Sequence, residues 1–292
     1  GECAKELLVF QRTPSSIDVR NNRETPQEFI DSLEPGWQYR RMENFNKLVT
    51  GAHQDEDLVN DGWTDIFRNL TGIAAKTAAT KLGRRLTPAE RAELMEMSDY
   101  RKMEAVRARA QEIVDDPEVA ESLKPYYRQF CKRPCFHDEY LPTFNLPNVH
   151  LVDTDGKGID QFTEKGLIAN GKEYELDCII FATGFEVGTS YTRRSGYDVV
   201  GRNGQKLSDK WENGLRTVHG LQTEGFPNAF FMGFTQGAVT VNVPQTLNEQ
   251  AVHIAYILDK VRAADGSVVE ATVEGEQAWV DEMKNKARLG AR

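Results

Sequence analysis

The sequence lacks the compact motifs that identify several common enzyme chemistries. It contains no complete Gly-x-Gly-x-x-Gly fingerprint, no Walker phosphate loop, no Gly-x-Ser-x-Gly nucleophile turn and no His-Glu-x-x-His zinc motif. Its five histidines are scattered along the chain. These absences argue against a P-loop enzyme, a serine hydrolase of that type and a zinc protease. An active site in this chain must therefore rest on weaker signals.

Cysteine is also scarce, with four residues among 292: Cys3, Cys131, Cys135 and Cys178. That number is too small for a disulfide framework, so we expect a reducing, cytoplasmic environment. Cys131, Cys135 and His137 could form part of a metal cluster. No second ligand pair follows at the spacing of a zinc site, and we predict no metal.

Long apolar runs and excess positive charge are missing as well. No run approaches the ~20 residues needed to span a bilayer, and residues 1–20 contain no apolar core typical of a signal peptide. The net charge of −9 disfavours binding to nucleic acid. A hydrophobic content of 39% is enough for a real core. We therefore expect no membrane span and no nucleic-acid partner.

The first half of the chain changes from strand to helix. Residues 6–10 read as a short buried strand, and the chain enters it at once without an initiator Met, which is typical of a fragment. Residues 26–130 are helix-prone. Thr87-Pro88-Ala89-Glu90 forms a capping box that opens a helix to about Val114, and Asp116-Pro117 precedes a shorter predicted helix over 117–129.

Strand patterns return after residue 131. We predict strands at 148–153 and 229–233, and a hairpin of 166–170 with 173–182 around Asn170-Gly171. Leu176–Phe181 is nearly all apolar, which is typical of a central parallel strand buried on both faces. Helices are expected at about 244–264 and 276–286. The sequence thus predicts an α/β domain interrupted by a helical insert.

Basic residues at two of these boundaries could bind phosphate. Arg12 follows the first strand, where an arginine in a dinucleotide fold accepts the 2′-phosphate of NADP; it could equally be a solvated arginine. Lys132 and Arg133 leave the helical segment together. They could be a charge pair at a helix end, or one could bind phosphate while the other faces a developing anion.

Small residues follow the predicted strand 176–181. Ala182, Thr183 and Gly184 would let the backbone approach a pyrophosphate or a flavin closely, although many α/β strands end in this way.

Taken together and in order, these segments resemble the Baeyer–Villiger monooxygenases, the class B flavoprotein oxygenases. The similarity spans essentially the whole chain. Six short stretches carry it: Val9-Phe10-Gln11-Arg12-Thr13-Pro14, Lys132-Arg133, residues 148–153, Ala182-Thr183-Gly184-Phe185, Gly225-Phe226-Pro227-Asn228-Ala229-Phe230-Phe231 and Ala278-Trp279-Val280.

The resemblance implies roles for individual residues. Arg12, Thr13 and Lys132 would hold the 2′-phosphate of NADPH. Arg133 would be catalytic, stabilising the negatively charged flavin peroxide. Trp279 would line the NADP site, and Gln236 lies in a segment, 236–245, that would close over the flavin. Ala182, Thr183 and Gly184 would contact cofactor.

The resemblance also implies a fold and a reaction. The fold would be an incomplete flavoprotein with two dinucleotide-binding domains and a helical insertion. Residues 1–20 and 131–185 would form a split NADPH domain, 21–130 the insert, and 186–292 part of the FAD domain. FAD and NADPH would insert one oxygen of O₂ beside a ketone carbonyl, giving an ester or lactone through a peroxyflavin.

Some features of the chain depart from that family. Both glycine fingerprints and the family motif between them are missing, so we expect a C-terminal fragment that is inactive alone. Two alternatives stay open. One is a related flavin monooxygenase that oxidises nitrogen or sulfur. The other is a non-catalytic α/β protein whose helical segment is an interaction module.

Overall fold

The computed structural model describes residues 3–52, 54–71, 79–186, 189–237 and 241–286, and it excludes the side chains of 69–71. The chain divides into two compact units, residues 1–181 and 182–292. Each unit is described separately below. Among the described residues, no helix combines the length and apolarity needed to cross a membrane.

The first unit contains short strands on either side of a long helical segment. Its strands are Leu7–Gln11 (β1), Ile17–Asp18 (β2), Cys135–Phe136 (β3), Val149–Asp153 (β4), Gln161–Phe162 (β5), Gly166–Ala169 (β6) and Lys172–Glu175 (β7). Its helices are Gln27–Asp31 (α1), Trp37–Val49 (α2), Gly62–Thr71 (α3), Pro88–Ile113 (α4), Pro117–Ser122 (α5) and Tyr140–Thr143 (α6).

Parallel pairing joins the strands that precede the helical segment to those that follow it. β1 pairs with β4 in the register Leu7↔Val149 through Gln11↔Asp153, and β2 pairs with β3 through Ile17↔Cys135. The chain therefore leaves the sheet region after β2 and returns beside the same strand at β3. This topology is the predicted α/β arrangement with an inserted helical segment, and it brings residues 12–18 close to residues 131–136.

The helical segment is fixed to these strands by a common core. Ala110 and Val114 at the end of α4 pack with Ile17, Leu141 and Val149, all of them buried. The predicted capping box also forms: the Thr87 side chain accepts a hydrogen bond from the Glu90 amide, and the Glu90 carboxylate accepts one from the Thr87 amide. A hairpin of β6 and β7 turns at Asn170-Gly171, as predicted, with both residues at positive φ.

The prediction of a buried parallel strand at Leu176–Phe181 is wrong. β7 ends at Glu175, and the following residues form no strand. Ile180 is 84% exposed and Phe181 is 68% exposed. Pairing with a neighbouring strand is what buries an apolar run and satisfies its backbone. No described strand pairs with this run, so it joins no sheet, although the Phe181 ring lies 5.7 Å from the ring of Phe162 in β5.

Two other boundaries differ from the prediction. The helix expected over 117–129 ends at Ser122, because Pro125 cannot continue it and biases the preceding residue away from helix. The strand expected at 229–233 does not form. There Phe231 is buried, but its amide donates a single backbone hydrogen bond to the Leu221 carbonyl at 2.8 Å.

The second unit is built mainly from loops and helices. Its helices are Tyr191–Ser195 (α7), Leu207–Lys210 (α8), Val243–Ala263 (α9) and Val273–Lys286 (α10), with a 3₁₀ turn at Arg202–Gly204. Leu207, Phe226 and Phe231 form its apolar cluster. The predicted helices at 244–264 and 276–286 therefore form, and α10 starts three residues earlier than expected.

Candidate functional site

The candidate site starts where β1 ends, at Arg12 and Thr13. A tight turn after β4 supports this strand end. The amide and the hydroxyl of the buried Thr154 both donate to the Gln11 carbonyl, at 2.8 and 2.9 Å. The Gly156 amide donates to the Arg12 carbonyl at 2.8 Å. The parallel register of β1 and β4 thus places a second chain segment against the backbone of Arg12.

Gly158 in that turn leaves room for the Arg12 side chain. Its φ is +86°, and a Cβ added there would lie 3.2 Å from Cδ of Arg12. The aliphatic stem of Arg12 therefore passes directly over Gly158. Glycine is favoured at this position for two reasons. The positive φ angle would strain any other residue, and an added Cβ would crowd the Arg12 side chain.

Lys132 reaches the same strand end from the far side of the helical segment. Its ammonium donates a long hydrogen bond of 3.5 Å to the Thr13 carbonyl, and it lies 5.4 Å from the centre of the Tyr127 ring. The pKa of Lys132 is lowered, first by partial burial and then by the positive charge of Arg12. The structure therefore brings Arg12, Thr13 and Lys132 together. Their binding of one phosphate, which the resemblance implies, stays a prediction.

This arrangement is suited to an anion. In the part of the chain that the structure describes, neither Arg12 nor Lys132 forms an ion pair with a carboxylate, whereas many other lysines and arginines do. Two cations that repel each other without a counter-ion favour a bound phosphate, which would relieve the repulsion and accept a forked hydrogen bond from arginine.

Arg133 is directed to a different place from its neighbour Lys132. Its guanidinium carbon lies 5.6 Å from the centre of the Trp63 ring, at the start of α3. The side chain is exposed and has no ion pair with any carboxylate among the described residues. A guanidinium in this state can face negative charge that develops nearby.

The remaining predicted site residues lie in the second unit. Ala182, Thr183 and Gly184 are exposed, and Gly184 has a φ of +84° with open space around its Cα. The side chain of Gln236 is fully engaged within the unit: its amide donates to the Leu215 carbonyl at 2.5 Å and its oxygen accepts from the Thr217 amide at 2.8 Å. Residues 238–240 of the segment 236–245 fall outside the described residues.

Trp279 lies on α10 and is half-buried. Its ring packs edge-on against His219 with the ring centres 4.8 Å apart. The indole N–H is buried and has no hydrogen-bond partner in the described part of the chain. A buried donor without an acceptor costs free energy unless a ligand or solvent supplies one. The prediction that Trp279 lines a cofactor site stays a prediction.

Several supporting residues escaped the sequence analysis. Tyr127 and Trp63 hold the two cations, yet isolated aromatic residues in a helix-prone segment carry no signal of that role. Glu276 was missed too: it is 2% exposed and receives a hydrogen bond of 2.6 Å from the Thr223 hydroxyl. No group of three or more His, Cys, Asp or Glu side chains among the described residues is arranged to hold a metal ion.

No protein-family model matches the chain. Two relatives are informative. Neopentalenolactone D synthase from Streptomyces avermitilis is 51% identical over 96% of this chain, which spans 47% of that protein. Baeyer-Villiger monooxygenase ATR8 from Stachybotrys chlorohalonatus is 47% identical over 97% of this chain, which spans 45% of that protein.

Two solved structures agree with these relatives. The polycyclic ketone monooxygenase from Thermothelomyces thermophila superposes with a TM-score of 0.81 at 40% identity, over 96% of this chain and 46% of its own. OTEMO in complex with FAD and NADP gives a TM-score of 0.72 at 27% identity, over 96% and 52%.

The chain is homologous to the Baeyer–Villiger monooxygenases. The predicted resemblance and the predicted fold class, a partial flavoprotein fold with helical insertion, are thereby confirmed. The chain spans about half the length of the curated relatives that it matches, which agrees with the expectation that it corresponds to part of such a protein.

Proposed function

We propose that this chain supplies the NADPH-phosphate site and the catalytic arginine of an FAD- and NADPH-dependent monooxygenase. The reaction inserts one oxygen of O₂ beside a ketone carbonyl to give an ester or lactone. The second oxygen leaves as water, and NADPH supplies the two electrons. The observation that supports this proposal most directly is the meeting of Arg12 and Lys132 at the end of β1 without a described carboxylate partner.

The residues of this chain fit one end of NADPH. The guanidinium of Arg12 and the ammonium of Lys132 would hold the 2′-phosphate, with the backbone of Thr13 between them. Trp279 would line the NADP site, as the family resemblance implies. Adenosine carrying a 2′-phosphate would then bind more tightly than adenosine with a free 2′-hydroxyl, which is the basis of preference for NADPH over NADH.

Arg133 would carry the catalytic role in this proposal. Its guanidinium has no described counter-ion, so it stays available to stabilise negative charge on the reacting oxygen. FAD supplies the oxygen chemistry when it is bound. At Ala182, Thr183 and Gly184 the backbone would approach the flavin closely, while Gln236, whose own side chain is engaged, would offer backbone only.

The proposal includes an organisation and a location. Residues 1–20 and 131–185 would form the split NADPH-binding domain, 21–130 the helical insert and 186–292 part of the FAD-binding domain. The glycine turns that bind FAD would come from sequence that this chain does not contain. The scarcity of cysteine supports a cytoplasmic protein.

A hybrid protein tests the function. This chain would replace the matching part of the S. avermitilis relative, and the purified hybrid would be given NADPH, isotopically labelled O₂ and a panel of a cyclic ketone, a thioether and an amine. We expect NADPH to bleach the flavin absorbance and the ketone to gain one labelled oxygen. A labelled sulfoxide or N-oxide without any ester would instead support the heteroatom oxygenase, and a hybrid that folds without binding flavin would refute the proposal.

The matched variant is Arg133→Ala in the same hybrid. We expect NADPH still to reduce the flavin, while labelled oxygen no longer enters the ketone, because the arginine acts on negative charge that develops after reduction. Unchanged ketone turnover in this variant would contradict the role proposed for Arg133.

A further inference from the structure

Lys132 and Arg133 are neighbours in sequence, but their charges are held over two separate aromatic rings. The Lys132 ammonium lies 5.4 Å from the centre of the Tyr127 ring, and the Arg133 guanidinium carbon lies 5.6 Å from the centre of the Trp63 ring. Both distances are within the ~6 Å range in which a cation is attracted to a ring face. Each ring therefore provides a preferred position for one cation.

Tyr127 also connects the lysine to the strand end that carries Arg12. Its hydroxyl donates to the Pro14 carbonyl at 2.9 Å, across 113 residues of sequence. The ring is half-buried, so its position is fixed by packing as well as by this bond. From that position its ring faces the lysine ammonium, which also reaches the Thr13 carbonyl. Tyr127 thus ties Lys132 to the segment that follows Arg12 and Thr13.

Trp63 is fixed by a helix cap and by packing against Phe136. It is the second residue of α3, and its amide donates to the carboxylate of Asp61 at 2.9 Å in a helix cap. Gly62 lets the helix start approach the Phe136 ring so closely that a Cβ there would lie 2.1 Å from a ring carbon. The rings of Trp63 and Phe136 then meet at 5.3 Å. Phe136 follows Arg133 by three residues, so the loop and the tryptophan are fixed to each other.

The division of the cations has an electrostatic reason. Arg12 and Lys132 already repel each other at the end of β1, and a third cation would add to that repulsion whenever no phosphate is bound. A ring face attracts a guanidinium without neutralising its charge, whereas a carboxylate partner would neutralise that charge. Trp63 can therefore hold Arg133 apart and still leave its charge uncompensated.

We propose that Tyr127 and Trp63 are positioning residues that divide the adjacent cations between two tasks, with Tyr127 keeping Lys132 at the phosphate site and Trp63 keeping Arg133 away from it. The phosphate task rests on the function proposed above. The separation itself concerns only residues of the first unit and is measurable without flavin.

The first measurement follows the positions of the two cations in the ligand-free protein. In isotope-labelled protein, we expect ring-current shifts on the Lys132 side-chain protons and on the Arg133 Nε–H. Tyr127→Leu should remove only the lysine shift and Trp63→Leu only the arginine shift. Tyr127→Phe and Trp63→Phe keep a ring, so each should retain most of the shift. The leucine variants serve as controls for each other, since a general loss of structure would move both signals.

The second measurement follows binding by calorimetry with two probes that differ only by one phosphate, adenosine 2′,5′-bisphosphate and adenosine 5′-monophosphate. We expect Tyr127→Leu to weaken the bisphosphate about two- to fivefold, the size of one exposed cation–ring contact. The monophosphate should bind each variant equally. Trp63→Leu should leave bisphosphate affinity within about twofold of the parent protein, because Arg133 is not part of that site.

These outcomes separate the inference from the function on which it rests. If the parent protein binds both probes equally, Arg12 and Lys132 do not form a site for the 2′-phosphate. The proposed function and the division of the two cations are then both refuted. If the bisphosphate binds preferentially but Tyr127→Leu has no effect, only the role of Tyr127 is wrong. If Trp63→Leu loses as much affinity as Tyr127→Leu, the two cations act as one unit and the division is refuted.

Discussion

Replacing Glu276 with glutamine is expected to destabilise the second unit by about 2–3 kcal/mol. Glu276 lies in the first turn of α10 and is almost completely buried. One carboxylate oxygen accepts from the Thr223 hydroxyl at 2.6 Å and from the Glu224 amide at 3.1 Å. The other lies 3.2 Å from the Lys210 ammonium and 3.2 Å from the Arg216 guanidinium.

The magnitude follows from what glutamine keeps and what it loses. Its carbonyl can still accept from Thr223, but its NH₂ group would face two cations that can only donate. Breaking a buried ion pair in this way typically costs about 3–5 kcal/mol. Lys210 keeps a second partner in Glu224 at 2.7 Å, and Arg216 is one-third exposed. Because of these two compensations, we expect a loss of about 2–3 kcal/mol and not the full cost of breaking a buried pair.

Urea unfolding followed by tryptophan fluorescence measures this loss, since Trp211 and Trp279 both lie in the second unit. The matched control is Glu282→Gln on the same helix, which removes an exposed pair with Lys286 and should leave the free energy of unfolding nearly unchanged. If both variants unfold at the same urea concentration, the reasoning from burial is wrong.

The same comparison has a predicted pH dependence. Burial acts to raise the pKa of Glu276, but the hydrogen bonds from Thr223 and Glu224 and the charge of Lys210 outweigh it, so the pKa lies below its ordinary value of 4.5. A lowered carboxyl pKa stabilises the fold fully above the unfolded value, and this contribution is lost as the pH falls through the folded pKa. The difference between the parent protein and Glu276→Gln should therefore be constant at neutral pH and shrink below pH 4.5. A difference that persists undiminished in acid would contradict the assignment.

Two further predictions concern the strand end, and both use the hybrid protein. Arg12→Ala should raise the KM for NADPH about tenfold or more and leave that for NADH nearly unchanged, because only NADPH carries the 2′-phosphate; equal effects on both cofactors would refute the contact. Gly158→Ala should weaken NADPH selectively, since its Cβ would press on Arg12, whereas Gly156→Ala has a similar φ of +78° and nothing within 4 Å. If both alanine variants lose NADPH affinity equally, turn strain and not the arginine is responsible.

Features that depend on neighbouring residues were predictable from the sequence. The capping box at Thr87 needs only the hydroxyl and the carboxylate of Glu90 three residues later, and it forms as expected. The turn at Asn170-Gly171 needs two residues that tolerate positive φ, and it forms as well. In both cases the physical cause lies within four residues, so a single sequence contains all of it.

The candidate site was predictable only in part. Arg12 and the pair Lys132-Arg133 stood out by their places beside a strand and a helical segment, and the structure brings Arg12 and Lys132 together. Their roles came only from the family resemblance and stay predictions. Tyr127 and Trp63 were not, because their role depends on contacts across the fold. Trp63 lies 70 residues before Arg133, and the packing of its ring against Phe136 holds the two segments together. No local pattern encodes a distance of that kind.

The failed strand at Leu176–Phe181 is instructive for a different reason. The prediction treated apolar composition as a property of the segment, but a buried strand is a property of the segment together with its neighbours. Ile180, Phe181 and Phe185 are all more than two-thirds exposed, which would cost about 1.5–3 kcal/mol for each side chain relative to burial. Burial of these side chains against another segment would recover that free energy. This exposure supports the proposal that part of the flavin-binding fold lies in sequence outside this chain, which spans about half the length of its curated relatives. The hybrid protein should accordingly protect the amides of 178–181 from hydrogen exchange, and their continued rapid exchange in a flavin-loaded hybrid would refute that explanation.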